Sequence, residues 1–261
     1  MCELLGMSAN VPTDICFSFA GLLVRGGKTG PHKDGWGMAM HREGQAWCIH
    51  DPRPSAESDM AEVMSKSSLK CDIVISHIRQ ANVGDICLAN THPFHRQLWG
   101  ETWSYAHNGQ LDASEKLVIG QYQALGNTDS ETAFCWLLDQ LLLEFGDNAP
   151  DISLLADKLQ HLSNQLHSQG VFNMMLTDGE SLFCYCSTNL YWITRRAPFN
   201  TATLLDKNMG IDFQKVTTDN DVVTVIATQP LTQDEAWQQM QTNELAVFQA
   251  GEMIIRTNSS V

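Results

Sequence analysis

The 261-residue sequence is poor in positive charge: 16 Lys and Arg stand against 30 Asp and Glu, a net charge of −14. Such a field repels phosphate backbones and anionic membranes, and no basic cluster or aromatic-basic stripe offsets it, so no nucleic-acid or membrane partner is expected. Long hydrophobic runs are missing too. The apolar stretch 15–24 is too short to span a bilayer, and Glu3 and Asp14 stand where a secretory leader would be basic. The eight cysteines (Cys2, Cys16, Cys48, Cys71, Cys87, Cys135, Cys184 and Cys186) form no Cys-x-x-Cys pair, which argues against a zinc module. Cys184 and Cys186 share one face of a strand and read as buried structural thiols. His77, His92, His95 and His107 are irregularly spaced, and there is no His-Glu-x-x-His frame, so no metal and no cofactor are expected. Repeats and low-complexity segments are absent. These absences predict a soluble protein of a reducing cytoplasm.

Periodicity predicts the elements that are present. Residues 2–7 read as a strand ended by the turn signal Asn10-Val11-Pro12. Thr13 or Asp14 caps a helix with Phe19, Leu22 and Leu23 on one face, ended by Gly26-Gly27. A hairpin over 36–50, a helix over 60–69 and a buried strand over 72–78 follow, then a long loop from Arg79 to about Gly100. Residues 103–107 read as a strand stopped by Asn108-Gly109. A helix capped within 126–130 carries Ala133, Phe134, Leu137, Leu138, Leu141 and Leu142 at a 3.6-residue period; a second carries Leu155, Leu159, Leu162 and Leu166. Strands 171–176 and 182–186 pair around Thr177-Asp178-Gly179, and strands over 190–194 and 222–228 precede a hairpin turned at Gly251. Antiparallel hairpins around a central helical block predict an α+β fold, with 1–261 as a single domain.

Chemistry starts at the second residue. A cysteine after Met1 becomes the chain start if Met1 is removed, and then carries a thiol and a free α-amine on one carbon. The amine titrates at about 7.7–8.0 and the thiol near 8.5, so the amine can serve as the thiol's own base. The alternative is a cysteine that merely opens a strand. Four polar strings sit at predicted element ends: Ser76-His77-Ile78-Arg79-Gln80-Ala81-Asn82, Asn90-Thr91-His92-Pro93-Phe94, Tyr105-Ala106-His107-Asn108-Gly109, and Gly126-Asn127-Thr128-Asp129-Ser130-Glu131.

Cys2, an arginine closing a strand, His-Pro-Phe, His-Asn-Gly and Thr-Asp-Ser-Glu, in that order, resemble class II glutamine amidotransferase domains such as those of glucosamine-6-phosphate synthase and phosphoribosyl-pyrophosphate amidotransferase. Asp34-Gly35-Trp36-Gly37 and residues 187–198 extend the resemblance, end to end, toward the small stand-alone YafJ-type members. The resemblance implies an N-terminal nucleophile hydrolase fold, four layers α/β/β/α with two packed antiparallel sheets. It makes Cys2 the nucleophile, Asn108 and Gly109 the oxyanion hole, Arg79 the grip on the substrate α-carboxylate and Asp129 the partner of its α-ammonium; His92, with no metal expected, reads as a wall of the substrate pocket. Outside the family reading, Arg79 is a surface ion pair, Asp129 a helix N-cap and Asn108-Gly109 a hairpin turn. Where the larger synthases have Arg-aromatic-Ala-Thr, this chain has Arg79-Gln80-Ala81-Asn82, without the aromatic that helps seal a channel to a second domain. The implied substrate is glutamine, with any acceptor carried by a separate protein. Two further readings keep the site: an amidohydrolase of γ-glutamyl peptides or conjugates, and a glutamine-binding regulatory subunit without turnover.

Overall fold

The computed structural model describes residues 2–82 and 84–258, the last without its side chain. Its elements in chain order are β1 (Glu3–Thr13), α1 (Cys16–Arg25), β2 (Trp36–Arg42), β3 (Gln45–Asp51), α2 (Asp59–Met64), β4 (Cys71–Ile78), β5 (Phe94–Leu98), β6 (Glu101–Leu111), α3 (Asp129–Phe145), α4 (Ile152–His167), β7 (Gly170–Thr177), β8 (Ser181–Cys186), β9 (Tyr191–Arg195), β10 (Thr201–Thr203), β11 (Gly210–Asp212), β12 (Val223–Ala227), β13 (Gln238–Gln239), β14 (Glu244–Gln249) and β15 (Glu252–Asn258). One sheet runs β13-β9-β12-β1-β4-β2-β3 and the other β15-β14-β8-β7-β6-β5, with every pairing antiparallel; β10 and β11 form a separate ribbon.

The layers follow from strand alternation. Leu5 and Met7 of β1, with Trp36, Met38 and Val74, pack against Phe19, Leu22, Ala61 and Met64 of α1 and α2. The intervening Leu4, with Ile73, Ile75 and Ile226, faces the second sheet through Ala106, Met175, Leu182, Cys184 and Phe248. The outer face of that sheet, carrying Tyr105, Phe172, Met174 and Tyr185, buries Phe134, Leu137, Leu138, Leu159 and Leu162 of α3 and α4. This is the expected α/β/β/α sandwich. Gly6 lets the sheets approach closely, since a Cβ there would lie 2.9 Å from the Met175 sulfur.

Several boundaries differ from the sequence reading. β1 runs through Asn10-Val11-Pro12 to Thr13, because Asn10 Nδ2 donates to the Asn220 carbonyl and its Oδ1 accepts from Val222 N–H, so long-range bonds override the local turn signal. The helix over 60–69 ends at Met64. The loop over 79–100 contains β5, which pairs with the start of β6. β6 does not stop at Asn108-Gly109: both lie inside the strand, opposite Asn173 and Phe172 of β7. The hairpin-turn alternative for this dipeptide is therefore wrong.

Candidate active site

The start of the central strand β1, the segment leaving β4, the unpaired edge of β6 and the N-terminus of α3 meet around a narrow cavity of about 30 Å³, lined in part by Cys2, Arg79, His92, Gly109 and Asp129. Five of the six predicted site residues are thereby brought together. Asn108, the sixth, is buried just behind the lining, with its side chain turned between the sheets toward Thr228. A larger cavity of about 570 Å³ opens at the far end of β1, beside Ala9 and Asn10, and holds none of these residues.

Cys2 is seated by Gln80, whose N–H donates to Sγ at 3.3 Å and whose carbonyl faces it at 3.5 Å. Burial pushes the thiol above its ordinary value, against the pull of the Gln80 N–H and the Arg79 charge. Met1 lies outside the described residues.

Arg79 is buried. Its backbone ties it to Gly35 and Asp34, and its guanidinium donates to the carbonyls of Asp85 at 2.8 Å and Gly84 at 3.3 Å. It is not the surface ion pair of the alternative reading. His92 packs between the tilted rings of His77, with ring centroids 4.3 Å apart, and Phe94, at 4.4 Å.

The string Thr128–Glu131 divides four tasks among four residues. Thr128, not Asp129, is the N-cap of α3, accepting from Glu131 N–H; this corrects the alternative reading of Asp129 as the cap. Asp129 instead sits in the first turn, its Oδ2 accepting from Leu111 N–H at 2.8 Å. Ser130 Oγ meets His107 Nδ1 at 2.8 Å. Buried Glu131 holds the preceding loop through Leu125 N–H, Gly126 N–H and an ion pair with Arg96 at 2.6 Å.

The bond from Leu111 fixes the direction of the neighbouring amides. Asp112 N–H points to the Gln169 carbonyl on the β7 side, whereas Leu111 N–H points away from β7 to Asp129. Backbone directions repeat every second residue along a strand, so the Gly109 N–H also leaves the β6–β7 ladder. It does so beyond Tyr105, where pairing with β5 has ended. Gly109 can take no side chain, since a Cβ would lie 1.8 Å from the Val171 carbonyl and 2.6 Å from His107 Nε2. His107 Nε2 lies 3.1 Å from that same carbonyl, so the ring donates there and accepts the Ser130 hydroxyl at Nδ1. Burial lowers the His107 pKa and favours this neutral tautomer.

Asn173 and Thr228 were missed in the sequence. Asn173 Nδ2 donates to the Asn108 carbonyl at 3.0 Å, and its Oδ1 accepts from Ser187 and Thr188 N–H. A lone amide in the apolar run 171–176 was the available signal. Thr228 Oγ1 accepts from Leu4 N–H at 2.8 Å and lies 3.4 Å from Asn108 Nδ2. Among the described residues no group of three or more His, Cys, Asp or Glu is placed to hold a metal, and no helix is long and apolar enough to cross a membrane.

A family model of class-II glutamine amidotransferases matches residues 1–261. YafJ of Escherichia coli (strain K12) is 52% identical over 255 residues, covering 98% of this chain and 100% of YafJ. A crystal structure of a predicted glutamine amidotransferase from Pseudomonas aeruginosa PA01 is 43% identical, with a TM-score of 0.77 over 97% of this chain and 100% of that one. The glutamine phosphoribosylpyrophosphate amidotransferase of B. subtilis is 14% identical, with a TM-score of 0.61 over 98% of this chain and 49% of that one, a likeness of fold.

Proposed function

This chain belongs to the class-II glutamine amidotransferases, and from that premise we propose that it is an amidohydrolase that opens the γ-carboxamide of glutamine through a thioester on Cys2. The observation that carries the reading is the convergence of Cys2, Arg79, Gly109 and Asp129 on one cavity, with the Gly109 N–H directed out of its ladder.

Removal of Met1 frees the α-amine of Cys2, which takes the thiol proton directly or through a water. Because burial holds the thiol protonated near neutral pH, this built-in base is what makes the nucleophile. The thiolate attacks the γ-carbonyl carbon and the C=O pair moves onto oxygen. Asn108 and Gly109 donate to that oxyanion. As the C–N bond breaks, the ammonium returns its proton to the departing nitrogen and ammonia leaves. Water then attacks the thioester, releasing glutamate and the thiol.

Arg79 takes the α-carboxylate, for which its planar fork is suited, and Asp129 takes the α-ammonium. Both grip the glutamyl half. The leaving half is therefore less constrained, which keeps γ-glutamyl peptides and conjugates as a second substrate class, with any acceptor carried by a separate protein. A regulatory subunit that binds without turnover is the disfavoured reading, since each position the chemistry needs carries a competent residue. The experiment is ammonia release from glutamine and from γ-glutamyl amides by protein whose intact mass shows Met1 absent. Glutamine binding with no release from any of them would overturn the catalytic reading.

A further inference from the structure

We infer that Thr228 is a positioning residue: its hydroxyl holds the Asn108 carboxamide oxygen and so aims the Asn108 N–H at the developing oxyanion. The inference rests on the reading of Asn108 as an oxyanion donor.

Thr228 follows directly on β12 and is buried between the sheets. Its Oγ1 accepts from Leu4 N–H at 2.8 Å and its own N–H donates to the Leu4 carbonyl at 3.1 Å. It thereby clamps β1 two residues from the nucleophile. A threonine hydroxyl has two acceptor sites and one proton; Leu4 uses an acceptor site and leaves the proton to be placed. Asn108 stands beside it with Nδ2 at 3.4 Å, a long contact, while its Oδ1 is buried with no hydrogen-bond partner among the described residues.

A half-turn of the carboxamide about its Cβ–Cγ bond, a soft and roughly two-fold torsion, resolves both deficits. Oδ1 then accepts the Thr228 O–H, and Nδ2 swings off Thr228 to the side where Oδ1 stood. The backbone stays in place, because Asn173 holds the Asn108 carbonyl at 3.0 Å. With the oxygen fixed by a hydroxyl that is itself fixed to β1, the amide has one preferred sense, and its N–H is ready to donate without reorganising.

The test is a double-mutant cycle in the processed enzyme, read as kcat and KM for glutamine or the best γ-glutamyl amide. Thr228→Val, which keeps the shape and removes the hydroxyl, should lower kcat about tenfold or more, within the 10²–10³ that a whole oxyanion donor is worth, and leave KM within about threefold. Thr228→Ser should restore most of kcat. In an Asn108→Ala background, Thr228→Val should cost less than about threefold, because the group it orients is gone. If Thr228→Val melts early, Thr228→Ala takes its place in the same cycle. An unchanged kcat in Thr228→Val, or the same loss with and without Asn108, overturns the inference; the latter would mean that Thr228 acts through Leu4 and β1. Failure of wild-type protein to turn over any γ-glutamyl substrate is a separate outcome that removes the amidohydrolase reading and this inference with it.

Discussion

Gln80 meets the Cys2 sulfur with both of its backbone groups, its N–H at 3.3 Å and its carbonyl at 3.5 Å. The N–H stabilises a thiolate and the carbonyl accepts from a thiol. One residue thus holds the sulfur in place on both sides of the proposed proton transfer.

Cys2→Ser should abolish nearly all turnover while leaving the melting temperature within a few degrees, because β1 is held by β4 and β12 from Glu3 onward. A glutamine-like electrophile should label Cys2 first. Burial pushes Cys16, Cys48, Cys71, Cys135 and Cys186 each to about 11 and Cys184 higher still, so those thiols stay protonated and slow. Peptide mass mapping after partial labelling decides this, and another cysteine modified ahead of Cys2 would displace the site.

Asn108→Ala should lower kcat by roughly 10²–10³ with a smaller change in KM, as for loss of one oxyanion donor. The Asn173–Asn108 bond uses the backbone carbonyl and survives the substitution, so the fold should too. Steady-state kinetics with a parallel thermal melt separates the two effects, and a change in KM alone would make Asn108 a binding residue.

Asp129→Asn keeps an oxygen for Leu111 N–H and removes the charge, so KM for glutamine should rise steeply while stability changes little. Blocking the α-amine or the α-carboxylate of the substrate removes the opposite charge that Asp129 or Arg79 would meet in the complex, at a cost of about 2–5 kcal/mol in comparable pairs. Arg79→Lys should bind poorly because an ammonium cannot reproduce the fork. If kcat/KM for either blocked ligand stayed within a few-fold of glutamine, the assignments of Arg79 and Asp129 would fall together.

Burial lowers the imidazoles of His41, to about 4, and His77, to about 3; His92 and His107 are lowered as well. Their unfolded value is near 6.5, so on acidification the unfolded chain binds protons first. The stability they contribute is complete above about pH 6.5 and is lost as pH falls toward 4, at about 1.4 kcal/mol per pH unit for each. The melting temperature should therefore drop from pH 7.5 to 5, and His41→Gln, remote from Cys2, should flatten the slope. A melting temperature independent of pH over that range would contradict the neutral buried state.

The sandwich was legible because its signals are local. The short apolar runs of β1, β4, β7 and β8 and the 3.6-residue period of α3 and α4 each lie within one window of sequence. The site was legible only as separate strings, joined by family resemblance and not by physics. Asn108-Gly109 carries the strongest short turn signal in the chain, yet the Asn173 and Phe172 pairing overrides it. Thr228 sits 120 residues from Asn108 and 224 from Leu4, and a lone threonine at the end of an apolar strand announces neither partner.

The sheet order also sets a timetable. β1 lies between β4 and β12, and β12 ends at Ala227, so most of the chain that follows β1 must leave the ribosome before its second neighbour exists. At about 5–20 residues per second that interval is on the order of 10–40 s. Throughout it the segment around Cys2 lacks its clamp at Thr228, and the proposed trimming of Met1 can act on an unseated strand. The proposed nucleophile thus gains the last of its strand's two neighbours, and the Leu4–Thr228 bonds with it, only late in synthesis.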